Sequence, residues 1–361
     1  MSTRSAAHSG AAANARGAPS AKRRRKALPW ARLCDEELLK LRFCDLKLSI
    51  ERSTLRRQIA RLYTELESRG IQFRPHVWLS EEWFSPDGVP GIAIPFYLAH
   101  PRLERLERRI MREAEGGNSR WCMRILRHEA GHALDNAYRL RRRKRWREVF
   151  GPASLQYPAH YKARPGSRRY VHHLGEWYAQ AHPTEDFAET FAVWLKPNSR
   201  WRKSYANWPA YNKLNVVEEL MLSVQGQRPP VRNRLRIEPI EENTSTLAQY
   251  YRRKLAHNRQ YRLGLADELL RRIFSPERAR KGVRAASLLR SQKTALTNAV
   301  ARTLALEPYS VEQILGMLIE RCDTLKLYVR GSRRDAIAHS RWMLERLASL
   351  YSQGETPKLP L

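Results

Sequence analysis

The sequence predicts an α+β fold, with a small sheet among helices in its first part and a mostly α-helical C-terminal region. Two observations carry this. Strand-like patterning is confined to the stretch before residue 100, where Phe73, Val77 and Leu79 alternate and IAIPFYLAHP is a continuous apolar, β-prone run. Helical spacing dominates the rest, and residues 245–353 read almost wholly as helix.

Residues 1–28 are Ala, Ser, Gly and basic residues ending in AKRRRKA, with seven Lys/Arg and no acid. That composition has too little apolar surface to offset the entropy of ordering, and a disordered basic tail is expected. CDEELLKLRF then reads as a short helix with an acidic first turn. SIERSTLRRQIARLYTELESRG reads as a longer one, with Leu55, Ile59, Leu62 and Leu66 on one face and Gly70 as its stop. After the first strand comes the turn-rich SPDGVPG. Pro95 removes a backbone donor from the second strand and places it at a sheet edge, either open to an extended substrate by strand addition or buried and capped. RLERLERRIMREAEGGNSRWCMRILRHEAGHALDNAY gives two helices parted at GGNS. Residues 151–181 read as a structured loop, HPTEDFAETFAVWL as a helix starting at Pro183/Thr184, and SYANWPAYNKLNVVEELML as a further turn and helix. QGQRPPVRNRLRIEPIEENTS has no periodicity. The expected division is a tail over 1–28, a first domain over 29–225, a linker over 226–244 and a helical C-terminal domain over 245–361.

The chain has 361 residues, 42% of them apolar, enough for a sizeable core. Lys+Arg 67 against Asp+Glu 36 gives a net charge of +31. Such an excess favours acidic polypeptides or nucleic acid as partners, although a solvated basic surface accounts for it equally well. The four cysteines form no C-x-x-C pair, which argues against a cysteine zinc site or a disulfide framework. No run of about 18 apolar residues occurs; no membrane partner and a cytoplasmic location are expected.

LRHEAGHALDNAY, residues 126–138, contains His-Glu-x-x-His within a helical segment. Residues four apart on a helix lie one above the other, about 6 Å along the axis. His128 and His132 can therefore aim imidazole nitrogens at one ion. Glu129, about 100° around the helix, cannot share that ligand position but can reach a water held by the ion. Gly131 lets another element approach closely. A catalytic zinc site needs a third protein ligand, with the fourth position left for water. The helix around 183–195 offers Glu185, Asp186 and Glu189. Glu185 and Glu189 share a face, so one can bind the metal while the other accepts the second N–H of a ligand histidine. Asp135, two turns beyond His128, is another candidate for that supporting role, and His172/His173 are a rival source of the third ligand. The basic run Arg139–Arg147 reads as a solvated helix end, its cations suited to a helix C-terminus.

HEAGHALDNAY followed by WYAQAHPTEDFAETFAVWL resembles the bacterial zinc-binding metallopeptidases, gluzincin-type zincins whose third ligand is a glutamate. The upstream SEEWFSPDGVPGIAIPFYLAHPRL is similar too, so the likeness spans roughly residues 30–225. More distantly, the two helices are similar to the catalytic core of anthrax lethal factor, which also has a tyrosine seven residues before the first glutamate. The resemblance implies a zincin-like fold, Zn2+ held by His128, His132 and Glu185, and Glu129 as general base. It also implies Tyr178 at the oxyanion and Glu189 in support of the ligands. It implies hydrolysis of peptide or related amide bonds, and the charge adds an acidic or nucleic-acid-associated polypeptide as the expected substrate. The alternative is a basic nucleic-acid-binding protein whose zinc is structural.

Overall fold

Apolar spacing builds the first helices where the sequence places them. In the computed structural model, which describes residues 28–111, 113–158, 160–260, 265–277, 282–353 and 359–360, α1 (Asp35–Leu39) precedes α2 (Leu55–Glu67). The expected tail lies outside the described residues except for Leu28. Leu55, Ile59, Leu62 and Leu66 are all buried. Just past α2, Gly70 turns left-handed (φ 74°) and the Ile71 N–H closes onto the Leu66 carbonyl.

β1 (His76–Ser80) and β2 (Gly91–Pro95) pair in parallel, from His76↔Gly91 to Ser80↔Pro95. The alternation expected for β1 gives way to three successive buried residues, Trp78, Leu79 and Ser80. Both faces are covered: Trp78 packs with Phe84, Val89 and Ala93, while Leu79 joins the main core. Phe73 precedes the strand, its ring lying against Tyr138. β2 is an edge strand of a two-stranded sheet, as Pro95 implied, but that edge is capped. Ala93 donates its N–H to the Phe84 carbonyl (2.8 Å) in an antiparallel bridge, and all five residues of β2 are buried. The backbone donor needed for strand addition there is already used.

α3 (Pro101–Met111) leads into α4 (Ser119–Tyr138), parted by the GGNS turn as expected, with Asn118 capping α4 by accepting the Trp121 N–H. α5 (Lys144–Phe150) follows, then β3 (His160–Tyr161), α6 (Pro183–Leu195), α7 (Trp201–Ser204) and α8 (Ala210–Leu222). Residues 226–244 do not behave as a free linker. They lie along β1, where Trp78 and Ser80 donate to the Ile237 and Glu238 carbonyls, Ile240 donates its N–H to Leu79, and Val231 closes on Ala137.

α9 (Leu247–Gln260) buries Leu247, Tyr250 and Tyr251 in this same first core, so packing changes hands after α9 and not at 226–244. The second core belongs to α10 (Leu265–Ile273), β4 (Phe274–Ser275), α11 (Ala285–Ser291), α12 (Lys293–Leu304), α13 (Pro308–Thr324), β5 (Tyr328–Val329) and α14 (Arg333–Gln353). β6 (Leu359–Pro360) pairs antiparallel with β3. Tyr161 of β3, with Ala163, Trp177 and Ala181 from the loop between β3 and α6, is buried in this second core. The molecule is thus α-heavy with small sheets, and its two cores meet at that loop. Among the described residues, no helix is long and apolar enough to cross a membrane.

Candidate metal centre

α4 is a buried helix. Met123, Leu126, Ala130, Ala133 and Ala137 face the core, and the adjacent stripe carries His128, His132 and Asp135. Arg127 anchors it to α2 by a buried two-pronged pair with Glu65 (2.6 and 2.8 Å). α6 packs across it. The close approach depends on Gly131, since a Cβ there would come within 2.9 Å of the Ala188 Cα and 3.2 Å of the Phe191 ring. α6 begins where the sequence places its start, with Pro183 in its first turn and His182 capping it by accepting the Thr184 N–H.

The crossing brings three donor atoms together. His128 Nε2 and His132 Nε2 are 3.1 Å apart, and Glu185 Oε2 lies 3.0 and 3.2 Å from them. Donor atoms on neighbouring corners of a zinc tetrahedron, each about 2.0–2.2 Å from the metal, lie about 3.3 Å from one another. Two imidazoles and a carboxylate at these separations suit a zinc ion in both chemistry and spacing.

Glu189 sits behind His128. Its Oε1 accepts from Nδ1 (2.9 Å) and its Oε2 accepts from the Leu174 N–H (2.8 Å). A carboxylate at Nδ1 fixes the tautomer that leaves Nε2 free to coordinate. Asp186 does not join the cluster, since its carboxylate faces Lys213. Asp135 does not support a histidine. Both its oxygens are taken by Arg141, from the N–H (2.7 Å) and from Nε (2.6 Å). This happens because Arg139 ends α4 in a left-handed turn (φ 53°), which folds the basic run back over the helix. His173 is buried, with Nε2 2.9 Å from the Arg124 carbonyl, so the His172/His173 alternative supplies no member of the cluster.

Glu129 is buried beside this set, and its Oε2 has no hydrogen-bond partner among the described residues. Burial raises its pKa, opposed by the two histidines. Tyr178 lies across His128, with ring centroids 5.6 Å apart. Burial and then the neighbouring Glu185 and Glu129 push its pKa well above the usual phenol range, so at neutral pH its hydroxyl is a donor. The residues before it, Glu176 and Trp177, both have left-handed backbones (φ 59° and 57°), a conformation that persists only where the surroundings enforce it. Here the Tyr161 hydroxyl holds the Glu176 carbonyl (2.9 Å) and the Trp177 ring packs edge-on to Tyr351 of α14.

Around the three converging donor atoms, protons are unevenly held. Burial alone would depress the His128 pKa, but hydrogen bonds and charge from Glu185 and Glu189 outweigh it and raise the value well above the ordinary histidine range. For Glu185, burial is overcome by His132 and His128, and its pKa falls well below that of a free carboxylate.

Sequence reasoning did not find Tyr157, whose hydroxyl donates to Glu185 Oε1 (2.8 Å) and also meets Thr184 Oγ1. Its signal is weak, a tyrosine in an irregular loop 28 positions before its partner.

No curated protein and no solved structure matches the chain. Residues 101–206, which carry α4, the aromatic loop and α6, match the family model described as "putative zinc-binding metallo-peptidase".

Proposed function

We propose that the protein is a zinc-dependent peptidase, or closely related amidase, working through the α4–α6 site. The observation that carries this is the convergence of His128 Nε2, His132 Nε2 and Glu185 Oε2 next to the buried, unpartnered Glu129 Oε2. Zinc bound there supplies a Lewis acid that polarises the scissile carbonyl and lowers the pKa of water. Glu129 takes the proton of the attacking water and passes it to the leaving amine, a role suited to a carboxylate whose pKa burial moves towards neutrality. Tyr178 donates its hydroxyl to the developing oxyanion. Glu189 holds His128 in the coordinating tautomer.

A structural zinc site is closed by four protein ligands. Among the described residues the cluster has three, which favours the catalytic reading over a basic nucleic-acid-binding protein with structural zinc. The charge of +31 supports an acidic or nucleic-acid-associated polypeptide as substrate. The test compares newly formed protein termini in native cells that carry the wild type or Glu129→Gln. Termini present only with the wild type, while the variant still binds zinc, are expected. Equal sets of termini would sink the mechanism.

A further inference from the structure

We propose that Tyr157 is a positioning residue of the metal centre, one that fixes the way Glu185 presents its carboxylate. The inference rests on the zinc reading and adds a residue that the ligand pattern does not contain. Glu185 divides its two oxygens: Oε2 faces both histidines, at 3.0 and 3.2 Å, while Oε1 accepts the Tyr157 hydroxyl at 2.8 Å. A carboxylate accepts only, so the phenol donates to it. With Oε1 occupied, the carboxylate cannot rotate to exchange its oxygens without breaking that bond.

The tyrosine is itself held. Its ring stacks on His182, with centroids 3.9 Å apart and planes 18° from parallel, and its hydroxyl also contacts Thr184 Oγ1. His182 caps α6 through Nδ1, and its Nε2 donates to the Leu155 carbonyl at 2.9 Å. The loop carrying Leu155 and Tyr157 is thus tied to the start of α6 at two points, at the capping His182 and at Thr184 and Glu185. Tyr157 stays 47% exposed. Deep core packing therefore does not account for the placement of its hydroxyl; the stack on His182 and the bonds to Thr184 and Glu185 do.

Zinc itself is the probe, titrated against a chromophoric chelator with the full-length protein. Tyr157→Phe keeps the ring on His182 and removes the donor. Partners of ligand side chains typically contribute 10–100-fold in metal affinity, and a rise in Kd of about that size is expected. Leu155→Ser alters the same loop but leaves the phenol in place, and its Kd should match the wild type. An unchanged Kd for Tyr157→Phe overturns the proposal. So does an equal loss in Leu155→Ser, because the effect would then belong to the loop and not to the hydroxyl. A wild type that binds no zinc overturns the metal reading as well, which separates that failure from failure of this inference alone.

Discussion

At the scale of single residues, the proposed zinc would compete with a proton at His128. In the ion-free protein its pKa lies well above the ordinary value of about 6.5. A raised histidine pKa stabilises the ion-free fold fully below the unfolded pKa, and that stabilisation fades as pH rises through the folded value. Coordination needs the neutral ring, so zinc must displace this proton. Zinc affinity should therefore increase with pH, by up to about tenfold per unit, until His128 has lost its proton. Calorimetry in buffers of different ionisation enthalpy should show about one proton released per zinc at neutral pH. Release of none would mean that Glu185 and Glu189 do not hold His128 protonated. The convergence of His128 and His132 was legible because residues four apart share a helix face. Asp135 was misread by the same rule. It lies on the correct face, but Arg141 captures it from beyond the helix end, and no periodicity shows where a chain turns back. Tyr157 was invisible because its loop has no period at all.

At the scale of elements, the site exists because α4 and α6 can touch at Gly131. Replacing it with Ala gains about 1 kcal/mol of helix propensity. The new Cβ, however, meets Ala188 backbone at 2.9 Å and the Phe191 ring, and backbone yields poorly. Overpacking of this kind costs about 1–3 kcal/mol, so a net loss is expected, together with weaker zinc binding as His128 and Glu185 move apart. Urea unfolding and zinc titration of Gly131→Ala check both. A more stable variant with normal zinc affinity would show that the helices do not need the glycine. The helices were readable from apolar spacing, and the crossing was foreshadowed by the glycine between the histidines. The sheet was read less well. Pro95 placed β2 at an edge, but the partner that caps it, Phe84, comes from a turn-rich segment with no strand pattern, so the sequence left an open and a capped edge undecided.

At the scale of the whole molecule, the C-terminal helices are bound into the site loop. Trp177 is buried in their core, Tyr351 packs on it, and Arg321 of α13 bridges Asp267 of α10 and Glu113 between α3 and α4. Sequence composition marked a boundary at 226–244 because Pro, Gly and polar residues cluster there. Irregular chain that packs along a strand has that composition too, and only tertiary hydrogen bonds, such as those from Trp78, Ser80 and the Ile240 N–H, reveal the difference. Because the two cores share this loop, heating should unfold them in one transition that zinc shifts upward. Two transitions, with the later-sequence helices indifferent to zinc, would show that the cores are uncoupled. Trp177→Ala should cost about 3–5 kcal/mol in stability, measured by denaturant unfolding. Metal analysis of dialysed protein tests the proposed zinc site itself. The wild type and Glu129→Gln should each retain about one zinc per chain, and Glu185→Ala should lose it. A wild type without zinc, or a Glu185→Ala variant that keeps it fully, would contradict the assignment of His128, His132 and Glu185 as the metal ligands.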